Sequence, residues 1–595
     1  MNRIQYILKK NTPFIAIILI TGIIASFMEG LTWGFFIPLL EGIRGETASG
    51  VPFPLNQISH IFVDMDLKQR ILLTACFIVL FTALKVTFVF TSNLFTLKLQ
   101  MRVVKHYRML CFDQLIKVGM QYIHSQKNAH LQTIAIIHTR EIARLVKEIG
   151  LLTPKVFTIF VLLVLLTLIS WKLTLVSMIL VTLASLVLHK VVKNAGKRGK
   201  SLSEKDKSIN STVLDFLIGM KVIRIFGQQE RMRTLFEREV DHHNKNAYRL
   251  VKTESSVQPF FETTGVLCLA VLLIAGSFII MQNEAAGLEI VLTFIVIFFR
   301  ILSPFQTINR ARVSIAGYLP FYREVYRFLE THDKPYIKSG HRTFRSFNKA
   351  IEFINVNFAY NTRDSFVLRD ISFQIPKNKK VALVGPSGSG KSTITELLLQ
   401  FYYPKDGIIT VDGIDLKEFD LMQWRRKIGV VSQDIFLFND TVSHNIKFAK
   451  PEAAEREVEW AARLAHAHEF IIKLNDGYNT LIGDRGVLLS GGQRQRIAIA
   501  RSILTKPELF IFDEATSALD SDSEKIVHQA LHEISQGRTV LIIAHRLSTI
   551  SDSDIVIVMN KGRIIEQGDP KKLLEKEDSV YRRLIKTQNL DIVAI

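Results

Sequence analysis

The residues best suited to chemistry follow a short apolar segment, Val381–Val384, which is typical of a buried strand. After it the chain reads Gly-Pro-Ser-Gly-Ser-Gly-Lys-Ser-Thr and enters a helical segment. Glycines let backbone N–H groups close around phosphate oxygens, and a helix start attracts negative charge. Lys391 would bridge the terminal phosphates, and the Ser392 hydroxyl would hold Mg²⁺. The predicted nucleotide-binding residues here are Gly385, Ser387, Gly388, Ser389, Gly390, Lys391, Ser392 and Thr393.

A second segment, Leu509–Glu514, is an apolar strand that ends in two carboxylates. Asp513 suits a further contact to the metal ion, and Glu514 suits a general base that orients the attacking water. Many core strands end in an acidic residue at a loop, so this pattern is weak by itself. It gains weight because the phosphate-binding loop is in the same chain.

A third segment lies between these two and consists of Ser490, Gly491, Gly492 and Gln493, followed by a basic helical stretch. Serine and glycines before a helix make another terminus that receives anions. One nucleotide needs only one such loop from its own chain. We therefore expect this loop to close over a nucleotide bound by a partner subunit, which makes dimerisation part of the chemistry.

Together and in this order, the three segments resemble those of the ABC transporter ATPases. With the apolar segments that precede them, nearly the whole chain resembles a half-size ABC exporter of the lipid-, peptide- and drug-exporting type. The resemblance implies that Tyr360 stacks on adenine. It also implies that Gln433 links the metal site to the membrane domain and that His545 contacts the γ-phosphate, so that Glu514, His545 and Gln433 form the catalytic set.

The same resemblance assigns two loops. Ser517–Asp520 would cross the dimer interface, with Asp520 in the nucleotide site, and Gly483–Gly486 would touch the coupling helices of the membrane domain. Taken singly, a tyrosine before a strand or a histidine after one is usually structural, so these assignments depend on the complete ordered set. Because Glu514 and the segment Leu489–Gln493 are both intact, two identical chains would form two competent sites. This favours a homodimer and leaves an intact partner of different sequence open.

The elements that position these groups must include a membrane domain. The chain of 595 residues has a formal net charge of +20, and 48% of its residues are hydrophobic. Lys and Arg are concentrated between apolar segments, with 15 of them from Lys190 to Lys252. Such a density is typical of a segment on the cytoplasmic side beside anionic lipid. Membrane topology, and not nucleic-acid binding, therefore accounts for the positive charge.

Crossing the hydrocarbon core takes roughly 20 mainly apolar residues. The links at 98–148 and 190–256 are long, basic and helical in period, which predicts helices that continue into the cytoplasm. We expect short reversing helices near Met120–Lys127 and Val213–Lys221 as coupling elements; the alternative is solvated turns with no mechanical role. The predicted spans are 14–40, 69–97, 149–171, 173–189, 257–282 and 286–308.

The predicted fold is thus an all-α six-span transmembrane domain with long cytoplasmic helix extensions, joined to an α/β P-loop NTPase domain of the ABC ATPase type. The predicted organisation is an N-terminal amphipathic elbow at 1–12, a six-helix transmembrane domain at 13–325, a linker at 326–347 and an ABC ATPase nucleotide-binding domain at 348–595.

Ionisable residues inside apolar segments are costly and usually face an interior or a water-filled cavity. The candidates for lining a polar substrate chamber are Glu29, Lys85, Glu262 and Arg300. Snorkelling and ion pairs between helices are the alternative explanation. In the first span, Glu29-Gly30 followed by Pro38 predicts a kink.

These features predict an ATP-driven exporter or flippase that moves an amphipathic substrate by alternating access, as a dimer, with ATP and Mg²⁺ as cofactors. Lys85 and Arg300 would attract an amphipathic anion, and the first span resembles those of glycolipid or polysaccharide exporters. The preferred substrate is a lipid-linked saccharide, a glycolipid or a lipopolysaccharide-type precursor. Multidrug or peptide export, a gated channel or regulator, and a soluble ABC ATPase are the alternatives. The expected location is the bacterial cytoplasmic (inner) membrane, with the ATPase domain in the cytoplasm and no nucleic-acid partner.

Overall fold

The computed structural model describes residues 9–35, 65–282, 284–332, 334–361, 365–513, 521–543, 550 and 552–593. The chain divides into two compact units. The helical unit comprises Met1–Lys117 and Ile123–Lys334, and the α/β unit comprises Val118–Tyr122 and Pro335–Ile595.

The helical unit is built from long helices with few interruptions. Within the described part of the chain, six helical segments are long and apolar enough to cross a membrane, which confirms the six-span prediction. The helices are α1 (Thr12–Gly34), α2 (Leu67–Lys117), α3 (Met120–Ser125), α4 (Asn128–Gln132), α5 (Thr139–Ile169), α6 (Trp171–Ile225), α7 (Gln229–Ser255), α8 (Val257–Gln282) and α9 (Glu284–Leu329), with a π-helical turn at Thr133–His138 before α5.

The two predicted reversing helices have different outcomes. The first is confirmed as the short helix α3. The second is wrong, because α6 continues for 55 residues through Val213–Lys221 as far as Ile225. This stretch contains no proline, and the chain reverses only at Gly227, whose φ of +61° glycine adopts without strain. The predicted kink involves Pro38, which lies outside the described residues.

Small residues allow α1 and α5 to approach closely. Gly22, Ser26 and Gly30 recur at four-residue intervals and therefore share one face of α1. The Ser26 hydroxyl donates to the Pro154 carbonyl at 2.9 Å and lies 3.0 Å from the Thr158 hydroxyl. Small and hydroxyl-bearing residues replace bulky side chains where membrane helices pack backbone to backbone.

The contact between α6 and α9 is closer still. A Cβ atom placed on Gly199 would overlap the backbone carbonyl oxygen of Gly317, whereas one on Gly196 would lie 3.5 Å from the Ala316 carbonyl oxygen, an ordinary contact. The two helices therefore meet through main-chain atoms at Gly199.

The α/β unit contains two sheets. A four-stranded antiparallel sheet has the order β2-β1-β4-β5, and a six-stranded sheet has the order β10-β9-β3-β8-β7-β6. Strands β9, β3, β8, β7 and β6 are parallel, and β10 pairs antiparallel with β9. The strands are β1 (Ala350–Phe358), β2 (Leu368–Pro376), β3 (Lys380–Val384), β4 (Asp406–Val411), β5 (Ile414–Asp415), β6 (Ile428–Val431), β7 (Leu509–Asp513), β8 (Thr539–Ile543), β9 (Ile555–Asn560) and β10 (Arg563–Gly568).

Helices cover one face of the larger sheet, and helices together with the smaller sheet cover the other, so its central strands are apolar on both sides. Along β3, Val381 and Leu383 pack into one core, and Ala382 and Val384 pack into the other. This confirms the predicted α/β class. The helices are α10 (Lys391–Leu398), α11 (Leu421–Arg426), α12 (Val442–Lys447), α13 (Glu455–Leu464), α14 (His468–Ile471), α15 (Gly491–Leu504), α16 (Ser521–Ser535), α17 (Pro570–Glu575) and α18 (Val580–Val593).

Because α6 contacts the main chain of α9 at Gly199, two glycine-to-alanine substitutions on one face of α6 should change the stability of the protein unequally. Gly199→Ala should lower the apparent unfolding temperature of the full-length protein in detergent, because overpacking costs about 1–3 kcal/mol. The matched variant Gly196→Ala should be neutral or should stabilise by up to about 1 kcal/mol, since alanine favours a helix. Equal unfolding temperatures for the two variants would contradict the close approach.

Candidate functional site

The predicted phosphate-binding loop joins β3 to α10. Gly385, Gly388 and Gly390 have φ values of +147°, +77° and +100°, which side-chain-bearing residues rarely adopt. A Cβ on Gly385 would overlap the Met559 carbonyl oxygen of the neighbouring strand β9, and one on Gly390 would lie 2.6 Å from the Leu368 side chain. The loop therefore needs glycine for both its conformation and its close packing.

The lysine and two serine side chains of this loop differ in their burial and in their partners. Lys391 is buried, and its ammonium donates to the carbonyl oxygens of Gly385 and Pro386 at 2.9 and 3.1 Å. The Ser389 hydroxyl is buried and lacks a hydrogen-bond partner among the described residues. Buried polar groups rarely lack a partner, so a ligand with acceptor oxygens fits this loop. Ser392 is exposed in the first turn of α10, where it is accessible to a phosphate-bound metal ion.

Tyr360 is fixed from both ends. Its hydroxyl donates to the Glu396 carboxylate at 2.6 Å and lies 3.0 Å from the Thr393 hydroxyl, both on α10. Its backbone carbonyl accepts a 2.7 Å hydrogen bond from the Gln121 side chain. Burial, followed by the hydrogen bond to Glu396, raises the pKa of the Tyr360 phenol, which therefore stays neutral at physiological pH. Its ring also meets Tyr402 edge-on at 5.1 Å.

Gln121 belongs to the segment of the reversing helix that packs within the α/β unit. Next to it, the Gly119 amide donates to the Pro335 carbonyl at 2.7 Å, and the Met120 side chain packs against the core of this unit. Gln121 and Glu396 were not among the residues predicted from the sequence. Glu396 lies three residues after Thr393 on α10, and that helical spacing was the available signal.

Topology brings several of the predicted site residues to one edge of the larger sheet. Carboxyl ends of parallel strands meet at one edge of a sheet, and here that edge carries the loop after β3 and, two strands away, Asp513 at the end of β7. Gln433 is exposed two residues after β6, the neighbour of β7. The intervening strand β8 ends at Ile543, just before the predicted His545. Glu514, Asp520 and His545 themselves lie outside the described residues.

The second anion-receiving terminus is the start of α15. The Ser490 hydroxyl accepts from the Gln493 amide at 3.2 Å, and the Gln493 side chain accepts from the Ser490 amide at 2.9 Å. This reciprocal capping fixes the first turn. Gly492 packs against Ser523 of α16, whose atoms leave no room for a Cβ there, while Gly491 is partly exposed. Ser490 is exposed and accessible to a ligand from outside the chain.

A partly buried arginine ties the Gln433 loop to α15. Arg501 donates to the backbone carbonyls of Phe436 and Asn445, both at 2.9 Å. Burial lowers the pKa of its guanidinium to about 10, so it remains charged at neutral pH. The loop that starts at Gln433 and the helix that starts at Gly491 are thereby joined through one side chain.

The candidate chamber residues of the helical unit form two contacts. Lys85 on α2 lies 3.1 Å from the Glu29 carboxylate on α1, and the Arg300 guanidinium of α9 lies 4.3 Å from the centroid of the Trp33 ring. Glu29 and Trp33 are four residues apart and share one face of α1. Glu262 instead accepts a 2.9 Å hydrogen bond from Gln258 of its own helix. Trp33 was not among the predicted chamber residues, although its four-residue spacing from Glu29 is visible in the sequence.

Family comparisons agree with this arrangement. Residues 15–305 match the model of the ABC transporter transmembrane region, and residues 368–517 match the ABC transporter model.

Relatives of known name match along most of the chain. It is 34% identical over 580 residues to the heterocyst differentiation ATP-binding protein HepA of Nostoc, covering 96% of this chain and 94% of that protein. It is 38% identical over 424 residues to the ATP-dependent lipid A-core flippase of Shigella flexneri, covering 70% and 72%. A bacterial Atm1-family ABC exporter solved with ATP bound aligns over 98% of both chains, with a TM-score of 0.80 and 26% identity.

The geometry of Gly385 predicts a specific loss of nucleotide binding. Gly385→Ala combines an unfavourable φ with overlap of the Met559 carbonyl, and should weaken binding of a fluorescent ATP analogue by about tenfold or more. Gly413→Ala is the matched control, because Gly413 also has a positive φ of +84° but nothing lies within 4 Å of its Cβ position. If both variants bind the analogue with comparable affinity, Gly385 does not approach the Met559 carbonyl closely in the nucleotide-bound protein.

Proposed function

This chain belongs to the ABC transporters and couples ATP hydrolysis to transport across a membrane, and we propose that it is a homodimeric exporter of a lipid-linked saccharide, glycolipid or lipopolysaccharide-type precursor. The observation that carries the choice of substrate is the contact pattern of Glu29, Lys85, Trp33 and Arg300. Two cations and one carboxylate leave this group with a net positive charge among apolar spans. Such a charge favours an anionic head group attached to hydrocarbon.

One named relative supports this choice, because it is described as an ATP-dependent lipid A-core flippase. Arg300 also contributes differently from Lys85, because its guanidinium contacts the Trp33 ring and no carboxylate among the described residues forms an ion pair with it. We therefore assign Arg300 to the anionic head group and Lys85 to the Glu29 pair.

We assign the nucleotide roles as follows. Backbone amides of the loop after β3, with Ser389 and Lys391, hold the phosphates, and Tyr360 stacks on the base. Ser392, Gln433 and Asp513 are the residues that would hold Mg²⁺, which neutralises phosphate charge when bound. Glu514 orients the attacking water, and His545 contacts the terminal phosphate. The remaining residues of the site are Gly385, Ser387, Gly388, Gly390, Thr393 and Asp520.

Dimerisation completes this site. The capped terminus of α15 presents Ser490 and Gly491 at the surface of the α/β unit, where they would close over the nucleotide of a second copy. A nucleotide held between two copies binds the closed dimer better than the open one, and this difference drives alternating access.

Coupling to the membrane uses the two cytoplasmic reversals. At the second one, Ile218, Ile225 and Phe226 are 67–69% exposed. An apolar surface of this kind marks an interaction site. The α/β unit exposes Val487 and Leu488 directly after the Gly483–Gly486 loop. We infer that each of these apolar surfaces is an interaction site.

The location follows from the same reasoning. Basic segments between spans stay on the cytoplasmic side, so the ATPase domain lies in the cytoplasm of a bacterium with the spans in its cytoplasmic (inner) membrane. The named relatives are bacterial proteins.

Replacing the proposed general base separates hydrolysis from binding. Glu514→Gln should lower ATP turnover by about 10²–10⁴-fold while ATP binding persists, because only proton transfer is lost. Glu508→Gln makes the same change at the opposite end of β7 and should turn over normally. Wild-type turnover in Glu514→Gln would refute the assignment, and undiminished substrate movement in sealed vesicles without turnover would indicate a gated channel.

Replacing Arg300, the cation without a carboxylate partner among the described residues, tests the proposed substrate class. In lipid nanodiscs, a lipopolysaccharide-type glycolipid should stimulate ATP turnover, and Arg300→Gln should raise the half-stimulating concentration roughly tenfold, because bonds to charged groups are strong. Lys172→Gln removes an exposed cation at the start of α6 and should leave that concentration unchanged. Stimulation by neutral drugs or peptides, with none by glycolipid, would replace the proposed substrate.

A further inference from the structure

A half-open cavity of ≈ 360 Å³ lies in the helical unit, between α1, α2, α5 and α9. Among its described lining residues, all but Asn11, Thr153 and two tyrosines are without polar side-chain atoms, and Ile18 of α1 and Val103 of α2 are buried there. Ligand cavities begin at about 300 Å³. An apolar cavity of about 150 Å³ already stays dry and binds benzene. This cavity is therefore suited to hydrocarbon and not to water.

The cavity is separate from the proposed substrate group. On α1, its lining residue Ile15 precedes Glu29 by 14 residues, and on α2, its lining residue Leu99 follows Lys85 by 14 residues. At 1.5 Å per residue, each separation is about 21 Å. Along both helices, the cavity therefore lies at the membrane side where α1 begins. The basic segments between the spans assign this side to the cytoplasmic leaflet.

Three exposed cations border the cavity and are called the basic rim: Lys10, Lys98 and Arg102. Each directly precedes a residue of the lining. The Arg102 guanidinium lies 4.1 Å from the centroid of the Phe14 ring, and the Lys98 ammonium lies 5.2 Å from that of Phe95. The two rings are 5.7 Å apart, so the cations are held over one aromatic surface.

The charge on this face is uniformly positive along both helices. Residues 9–19 and 95–108 contain no Asp or Glu. On α5, the carboxylate of Glu148 lies among Lys147, Glu254 and Arg310, whose charges act on it. Each basic residue near the cytoplasmic surface favours anionic lipid.

We propose that the cavity binds one acyl chain of an anionic phospholipid of the cytoplasmic leaflet, whose phosphate lies on the basic rim. A phospholipid joins a hydrocarbon chain directly to a phosphate, which matches an apolar cavity bordered by cations. The proposal does not depend on the identity of the exported substrate, because the two sites lie at different depths.

Photolabelling of the full-length protein in phosphatidylcholine nanodiscs tests this proposal. The probe is phosphatidylglycerol with a diazirine in one acyl chain, compared with phosphatidylcholine carrying the same diazirine. Peptide mapping should show that the phosphatidylglycerol probe labels residues 99–107, 142–153 and 315–322 more strongly than the phosphatidylcholine probe. Absence of label from these segments, or equal label from both probes, would overturn the proposal.

A cavity-filling variant tests the acyl-chain site. Val103→Trp places an indole in the cavity and should reduce phosphatidylglycerol labelling of 142–153 and 315–322 to the phosphatidylcholine level. Val86→Trp is the control on the same helix, because Val86 is 57% exposed. If Val103→Trp does not yield folded, ATP-binding protein, Leu319→Phe fills the cavity from α9. Unchanged labelling in a folded filling variant would contradict the proposal.

A charge variant tests the basic rim. The double variant Lys98→Gln/Arg102→Gln should reduce the preference for phosphatidylglycerol by about tenfold. Arg108→Gln removes an exposed cation that lies about 120° around α2 from Arg102 and should preserve the preference. If unlabelled glycolipid displaces the probe better than unlabelled phosphatidylglycerol does, the cavity belongs to the exported substrate and the proposal is wrong.

Discussion

The need to surround a nucleotide's phosphates with N–H donors is the constraint on which the rest of this molecule depends. One helix start, α10, supplies donors from one side only. The proposed second anion-receiving terminus, at α15, is fixed by the Ser490–Gln493 capping pair, and Ser490 is exposed there. In the proposed homodimer, each copy would supply the donors that the other copy's nucleotide lacks. Under that proposal, phosphate binding is what would bring the two copies together.

Much of the α/β unit was predictable because its chemistry is local in sequence. The strand, glycine-rich loop and helix from Val381 to Leu398 are contiguous, and their residue types specify their conformation. The Tyr360–Glu396 hydrogen bond and its link to Gln121 were not predictable, because they join segments brought together only by tertiary packing. Topology also explains why Asp513 and the phosphate-binding loop share one sheet edge although they are distant in sequence.

The helical unit was predictable in span number and less so in detail. Hydrophobicity over a bilayer thickness identifies spans, but it does not say where a long cytoplasmic helix ends. The expected break at Val213–Lys221 failed because helix propensity continues to the turn at Gly227. Likewise, charge inside a span identified Glu29, Lys85, Glu262 and Arg300, but pairing depends on helix rotation, which separated Glu262 from the others.

The contact at Gly199 and Gly317 has a mechanical consequence. Side chains that interdigitate must change rotamer before two helices can slide, and such a barrier resists movement. Gly199 meets only the main chain of Gly317, whereas the Cβ side of Gly317 faces Leu250 of α7. On either side of this point, side chains tie the same two helices together, through the Arg312–Ser185 hydrogen bond at 3.2 Å and the Lys207–Glu324 ion pair at 2.7 Å. The glycine contact therefore sets the distance between α6 and α9, while the two polar contacts oppose sliding of one helix along the other.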